Sequence, residues 1–159
     1  MNIAVDTNVL AYAEGTNGEA MQARAVALVE RLVPDTTLLP IQTLGELFSV
    51  LVRKAGRSKQ DAAAAVQSWG DTFPLIETSP EVMLAATDLS RTHGRSIWDA
   101  VVLSAAAEAR CRFLLSEDLQ DGFTLRGVTV ANPFAPTLHP LLQSALEAGH
   151  MWTRTSEPA

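Results

Sequence analysis

At 159 residues, 47% hydrophobic and 19% charged, the chain is sized for one compact domain that buries well over half of its unfolded surface. One cysteine excludes a disulfide framework, and no uncharged apolar stretch approaches the length of a membrane span. A net charge of −6 argues against a broad basic surface for nucleic acid, though not against a local basic patch or a site whose positive charge comes from metal ions.

The first element is Ile3-Ala4-Val5, an apolar run of the kind that forms a buried strand, ended by Asp6, Thr7 and Asn8. With no basic region before it, this start does not read as a signal peptide, and Cys111 beside Phe113-Leu114-Leu115 fits a reducing cytoplasm. Asn17-Gly18 marks a turn. Ala25, Leu28, Val29, Leu32 and Val33 then repeat at helical spacing as far as Pro34, and Thr36 to Leu39 reads as a second strand. Ile41, Leu44, Leu47, Phe48 and Leu51 mark a helix to about Lys54, with Gly56 as its stop. Ser58 and Asp61 form a capping box for a helix burying Ala62, Val66, Trp69 and Phe73, and Pro74 to Glu77 reads as a third strand.

Ser79-Pro80 starts a helix that Gly94 stops, with Val82, Ala85, Ala86 and Leu89 on its apolar face. Ser96 caps the next, which is apolar nearly all round from Ile97 and Trp98 to Ala106, the pattern of a central helix. Phe113 to Ser116 and Val128 to Ala131 are the fourth and fifth strands. Strands alternating with helices predict an α/β fold in three layers, a parallel sheet of four to five strands with helices on both faces. One domain over residues 1–135 is expected, followed by a tail over 136–159. Leu138, Leu142, Ala145 and Leu146 make a short helix of that tail, and Thr153 to Ala159 reads as disordered.

Four acids are hard to explain together as structure alone. Asp6 follows the first strand, where open α/β sheets bind ligands, although Asp, Thr and Asn are also good helix caps. Glu46 shares a polar flank with Gln42 and Arg53, or forms a box with Thr43. Asp99 sits in the first turn of the most apolar helix, where a box with Ser96 accounts for it only if it is wet. Asp118 follows the fourth strand as Asp6 follows the first, with Asp121 a second candidate in the same turn. These acids can meet above one edge of a parallel sheet. Like charges at ~5 Å repel by about 3 kcal/mol at an effective dielectric of about 20, so ionised carboxylates gathered there need cations. An all-oxygen site of this kind selects Mg²⁺ or Mn²⁺, the equipment of phosphodiester hydrolysis.

Val5-Asp6-Thr7-Asn8-Val9-Leu10, Thr43-x-x-Glu46, Ser96-Ile97-Trp98-Asp99-Ala100 and Leu115-Ser116-Glu117-Asp118 resemble, in order and spacing, the four acidic motifs of PIN-domain ribonucleases. Within that family the chain is most similar to the VapC-type toxins of bacterial toxin–antitoxin pairs. The run Ser-Glu-Asp-Leu-Gln-Asp-Gly and the later Ala-Asn-Pro-Phe add to the likeness, which covers about residues 1–134. The resemblance implies a Rossmann-like parallel sheet, Mg²⁺ or Mn²⁺ at the acids, and single-stranded or loop RNA as substrate. It implies that Asp6, Asp99 and Asp118 hold metal, that Glu46 completes the site and positions metal-bound water, and that Thr7, Asn8 and Ser116 orient these carboxylates. A small antitoxin is the implied partner, and a homodimer the expected assembly. The tail after Phe134 departs from the family's short toxins.

Arg53, Lys54, Arg57 and Lys59 crowd the end of the helix that begins at Ile41 and the loop after it, and Arg91, His93 and Arg95 precede Ser96. Solvated faces and helix-end charges account for most such clusters. Arg53 and especially Arg95, four residues before Asp99, are the candidates for RNA contact. His93, His139 and His150 show no triad or zinc spacing, and no glycine-rich phosphate loop is present. Two other readings compete: a non-catalytic module of the same fold acting through a partner, and a phosphatase with an aspartyl nucleophile. The latter wants a second acid two residues after the nucleophile, where this chain has Asn8.

Overall fold

The order of elements puts the first strand in the middle of the sheet. In the computed structural model, which describes residues 1–155, the strands are β1 (Ile3–Val5), β2 (Thr37–Pro40), β3 (Leu75–Ile76), β4 (Phe113–Leu115), β5 (Thr124–Leu125) and β6 (Val128–Ala131). They form one six-stranded sheet in the order β3-β2-β1-β4-β6-β5. Every pairing is parallel except that of β5 with β6. The helices are α1 (Thr7–Ala13), α2 (Gly18–Val29), α3 (Ile41–Arg53), α4 (Lys59–Thr72), α5 (Pro80–His93), α6 (Ile97–Glu108) and α7 (Pro140–Thr155). No helix of the described residues is long and apolar enough to cross a membrane.

Side chains alternate across a strand, so each strand feeds two cores. Ile3 and Val5 of β1, Phe113 and Leu115 of β4 and Leu39 of β2 point into one core, which α1, α2, α3, α4 and α7 cover. Ala4, Leu114, Val128 and Val130 point into the other, against α5 and α6. The expected three-layer α/β architecture is the one observed. From Ala100 to Ala107 every residue of α6 is buried, as its composition required, and Cys111 is buried beyond its end. Trp98 is the exception: in the first turn of α6 it stands clear of the sheet and is 51% exposed.

Local signals set most boundaries. Ser58, Ser79 and Ser96 each accept a hydrogen bond from the backbone N–H three residues on, capping α4, α5 and α6. Gly94 ends α5 in the left-handed region at φ 64°, which suits glycine. The second helix stops at Val29, short of the expected Val33: the chain turns through Glu30–Leu32, and Pro34–Thr36 form a 3₁₀ turn into β2. Leu32 is still buried, because the turn rather than the helix delivers it to the core. The antiparallel β5 is an addition to the expected strands, joined to β6 through Arg126-Gly127.

Two tethers close the layer around α1. Arg57 donates to Glu14 twice, at 2.7 Å to Oε2 and 2.7 Å to the carbonyl oxygen, and Trp69 Nε1 donates to Glu14 Oε1 at 2.8 Å. On the other side of α2, Leu142 and Leu146 of α7 are buried in the core with Ile3, Leu28, Leu32 and Phe113. At Gly149 the helix runs so close to the end of α2 that a Cβ would lie 1.9 Å from the Arg31 carbonyl oxygen. Of the stretch Thr153 to Ala159, expected to be disordered, Thr153–Thr155 form the last turn of α7 and the remaining residues lie outside those described.

Candidate active site

The register of the two central strands builds the site. Val5 pairs with Leu115, so the next residue of each strand, Asp6 and Ser116, emerge side by side at the carboxyl edge of the sheet. Ser116 is fully buried and its Oγ donates to Asp6 Oδ2 at 2.8 Å. Asp6 Oδ1 accepts from Thr7 N at 2.7 Å. One oxygen therefore caps α1, as the cap reading expected, and the other is held by the strand next door.

Asn8 joins the acids. Its Nδ2 lies 3.3 Å from Asp6 Oδ2, 3.2 Å from Ser116 Oγ and 3.3 Å from Asp118 Oδ2, three acceptors for two hydrogens. Its Oδ1 accepts from Glu117 N at 3.2 Å. Thr7 Oγ1 reaches the carbonyl oxygen of Thr43 at 3.5 Å, which ties the start of α1 to the first turn of α3. Asp6, Thr7, Asn8 and Ser116 are all buried.

Glu46 lies on α3 and accepts from Gln42 Nε2 at 3.0 Å. Thr43 donates its hydroxyl to Pro40 O at 2.7 Å and forms no box with Glu46. Asp99 occupies the box position of α6, with its N–H on Ser96 Oγ at 3.1 Å, yet its side chain is half-buried. Burial pushes the Asp6 carboxyl up to about 6 against the pull of its Ser116 and Thr7 hydrogen bonds, and the negative charges of Glu46 and Asp99 push the same way. Two of the other acids therefore act on Asp6 through space, and Asp118 reaches it through Asn8. Asp121 is turned away: it accepts from Asn132 N at 2.9 Å and pins its own loop.

Two of the acids, Glu46 and Asp118, line a cleft of ≈ 400 Å³ between α1 and α3 together with Thr7, Asn8, Tyr12 and Lys54, while Asp6 and Asp99 are outside its lining. Lys54, eight residues on from Glu46, faces this cleft, and Arg53 is outside its lining. Tyr12 is not singled out by any motif, although helical spacing from Asn8 was there to place it, and Lys54 rather than Arg53 is the member of the basic cluster that lines the cleft. Burial and the nearby Glu117 carboxylate, which accepts the Tyr12 hydroxyl proton, hold that hydroxyl above the ordinary phenol range. Arg95 stacks on Phe123 at 4.1 Å from the ring centroid, with its Nε buried and without a hydrogen-bond partner.

Among the described residues no three His, Cys, Asp or Glu side chains stand close enough to share one metal ion. The donor chemistry nevertheless fits a hard divalent cation. The ligands on offer are carboxylate oxygens, one of them held from easy ionisation first by burial and then by neighbouring negative charges that a cation would offset. Half-buried Glu46 and Asp99 and exposed Asp118 supply the other carboxylate oxygens.

The PIN domain family model matches residues 3–122. No curated protein sequence matches the chain significantly. Among solved structures, the chain is similar to Mycobacterium tuberculosis VapC20, described as a sarcin–ricin loop cleaving toxin, at 23% identity and a TM-score of 0.62, over 74% of this chain and 92% of that one. It is similar to a toxin–antitoxin complex from Klebsiella pneumoniae at 21% identity and 0.61, over 84% and 98%. It is also similar to VapBC2 from Rickettsia felis bound to a promoter DNA fragment, at 14% identity and 0.59, over 82% and 97%. At these identities the likeness is one of fold. The family match spans most of the chain and takes in Asp6, Glu46, Asp99 and Asp118 together: the chain belongs to the PIN-domain family.

Proposed function

We propose that the chain is a divalent-cation-dependent endoribonuclease that acts as the toxin of a toxin–antitoxin pair in the cytoplasm. The observation that carries this reading is the convergence on buried Asp6: Asn8 joins it to Ser116 and Asp118 by hydrogen bonds, and the charges of Glu46 and Asp99 add to the burial that raises its pKa. Asp6, Asp99 and Asp118 would hold Mg²⁺ or Mn²⁺, with Glu46 completing the set. When bound, the cation supplies charge stabilisation at the phosphodiester and a water of lowered pKa. The chain's own residues do the rest. Ser116, Thr7 and Asn8 fix the Asp6 carboxylate by hydrogen bonds, which sets the direction of its free lone pairs. Arg95, held over the Phe123 ring with no acid paired to it among the described residues, is placed to take an RNA phosphate.

The likeness to a toxin from Mycobacterium tuberculosis and to a toxin–antitoxin complex from Klebsiella pneumoniae supports an antitoxin as partner here. The apolar furrow between α3 and α4, lined by Ile41, Leu44, Phe48 and Val66, suits an apolar helix of that partner. A homodimer is part of the same reading, and a strictly monomeric species in light scattering across a wide concentration range would remove it. One observation favours the second reading, a non-catalytic module acting through a protein partner: among the described residues no three acids are gathered for a metal. Mapping RNA 5′ ends after brief induction decides between them. Wild type should generate new ends with Mg²⁺ dependence, and Asp6→Asn and Asp99→Asn should generate none. Equal cleavage by wild type and either variant would show the catalytic assignment to be wrong.

A further inference from the structure

Between Ser116 and Asp118 stands Glu117, an exposed carboxylate that is chemically as good a ligand for Mg²⁺ or Mn²⁺ as its neighbour. Its side chain is already engaged. The Tyr12 hydroxyl donates to Glu117 Oε2, and the Glu117 N–H donates to Asn8 Oδ1 at 3.2 Å. Asn8 and Tyr12 are one turn apart on α1 and rise from the same face of it. Through Asn8 that face also touches Ser116 Oγ and Asp118 Oδ2. Three successive residues after β4 are therefore held by one face of one helix. The Tyr12 ring packs against Phe134, with centroids 5.8 Å apart, so the hydroxyl is presented from a fixed base.

We propose that Tyr12 and Glu117 form a clasp that turns Asp118 toward the cleft and keeps Glu117 off the cation. Both are then positioning residues for the acid site, and the proposal rests on the metal-site reading given above. A loop with two adjacent carboxylates offers a cation two competing ligands, and whichever is tethered elsewhere leaves the other as the ligand. Tyrosine suits the task because its O–H binds a carboxylate without adding positive charge. A lysine or arginine in its place would pair with Glu117 as well and would repel the incoming cation.

The test is Mn²⁺ binding to the full chain, followed by electron paramagnetic resonance, in wild type, Tyr12→Phe, Glu117→Gln and Glu117→Ala, with Asp6→Asn as reference. Phenylalanine keeps the packing on Phe134, and glutamine keeps an oxygen that accepts from Tyr12. Tyr12→Phe and Glu117→Ala should each weaken Mn²⁺ binding about tenfold. Glu117→Gln should stay close to wild type, and the double variant Tyr12→Phe/Glu117→Ala should be no weaker than either single one. If Glu117→Gln is as weak as Glu117→Ala while Tyr12→Phe binds normally, Glu117 is itself a ligand and the clasp is overturned. Normal binding in both Tyr12→Phe and Glu117→Ala overturns it too. A wild type that binds Mn²⁺ no better than Asp6→Asn sinks the metal-site reading instead. In that event hydrogen exchange at the Glu117 amide of the metal-free protein decides for the clasp: Tyr12→Phe must speed it, and an unchanged rate rejects the contact.

Discussion

The Ser116 hydroxyl donates to Asp6 Oδ2 at 2.8 Å, and the carboxyl it serves is nonetheless pushed up to about 6. Burial and the charges of Glu46 and Asp99 outweigh the hydrogen bonds. The folded value lies above the ordinary 3.8, so the native state takes up its proton first as pH falls. Without metal, the full penalty is present above about 6 and is relieved between about 6 and 3.8. In EDTA, Asp6→Asn should therefore melt higher than wild type at pH 7, by up to roughly 3 kcal/mol of stability, with the gap closing toward pH 4. Millimolar Mg²⁺ should raise the wild-type melting temperature at pH 7 and leave the variant nearly unmoved. A variant that melts below wild type with an intact Mg²⁺ shift would make Asp6 a cap and nothing more.

Asp118 and Asp121 share a turn but not an environment. Asp118 meets Asn8 beside the cleft, whereas Asp121 accepts from the Asn132 N–H. Asp118→Asn should lower RNA cleavage by about 10- to 100-fold with little change in melting temperature. Asp121→Ala should leave a neighbouring N–H without its partner and cost about 1 kcal/mol of stability, with a smaller loss of rate. Cleavage assays and melting curves on both variants check the ranking, and equal loss of activity would contradict it.

Much of this was readable from the residues because each element carries its own stop and start. Ser58, Ser79 and Ser96 announce helices by their hydroxyls, and the strands that matter most, β1 and β4, are uninterrupted apolar runs ended by polar residues. The acids at their ends followed from the same pattern. What could not be read needed a partner distant in sequence. β5 consists of Thr124 and Leu125, too short for any periodicity, and exists because β6 offers it an edge. Trp98 looked like core because its helix is apolar on all sides, and only the position of α6 against the sheet leaves that first turn outside. Arg53 and Lys54 are adjacent in sequence, and a rotation of one residue about α3 decides which of them faces the cleft. Tyr12 and Glu117 meet across 105 residues, a relation no local signal carries.

Arg95 tests the RNA contact. Its guanidinium carbon lies over the Phe123 ring, and lysine has no delocalised group to place there. Arg95→Ala and Arg95→Lys should both raise KM for RNA several-fold with kcat little changed, and both should flatten the dependence of binding on salt by about one phosphate contact. A fall in kcat at unchanged KM would move Arg95 from binding to the reaction itself.

The helix α7 is part of the core rather than an appendage, since Leu142 and Leu146 are almost without exposed surface. Leu146→Ala should cost about 2–5 kcal/mol, as for any leucine removed from a packed interior. Gly149→Ala should be destabilising for a different reason, because its methyl would collide with the backbone at Arg31. Urea denaturation of both variants checks this, and midpoints equal to wild type would show that α7 contributes little.

The sheet order also fixes when the acid site comes into being. β1 is flanked by β2 and β4, and β4 is made more than a hundred residues after β1. A nascent chain that has reached α6 already contains Asp6, Glu46 and Asp99, but one edge of β1 is still bare and Asp6 has neither Ser116 nor Asp118 beside it. Closing so long a loop is slow compared with forming the helices in between. The three earlier acids thus wait for their partners, and a ribosome translating this chain carries no assembled acid site until β4 has docked.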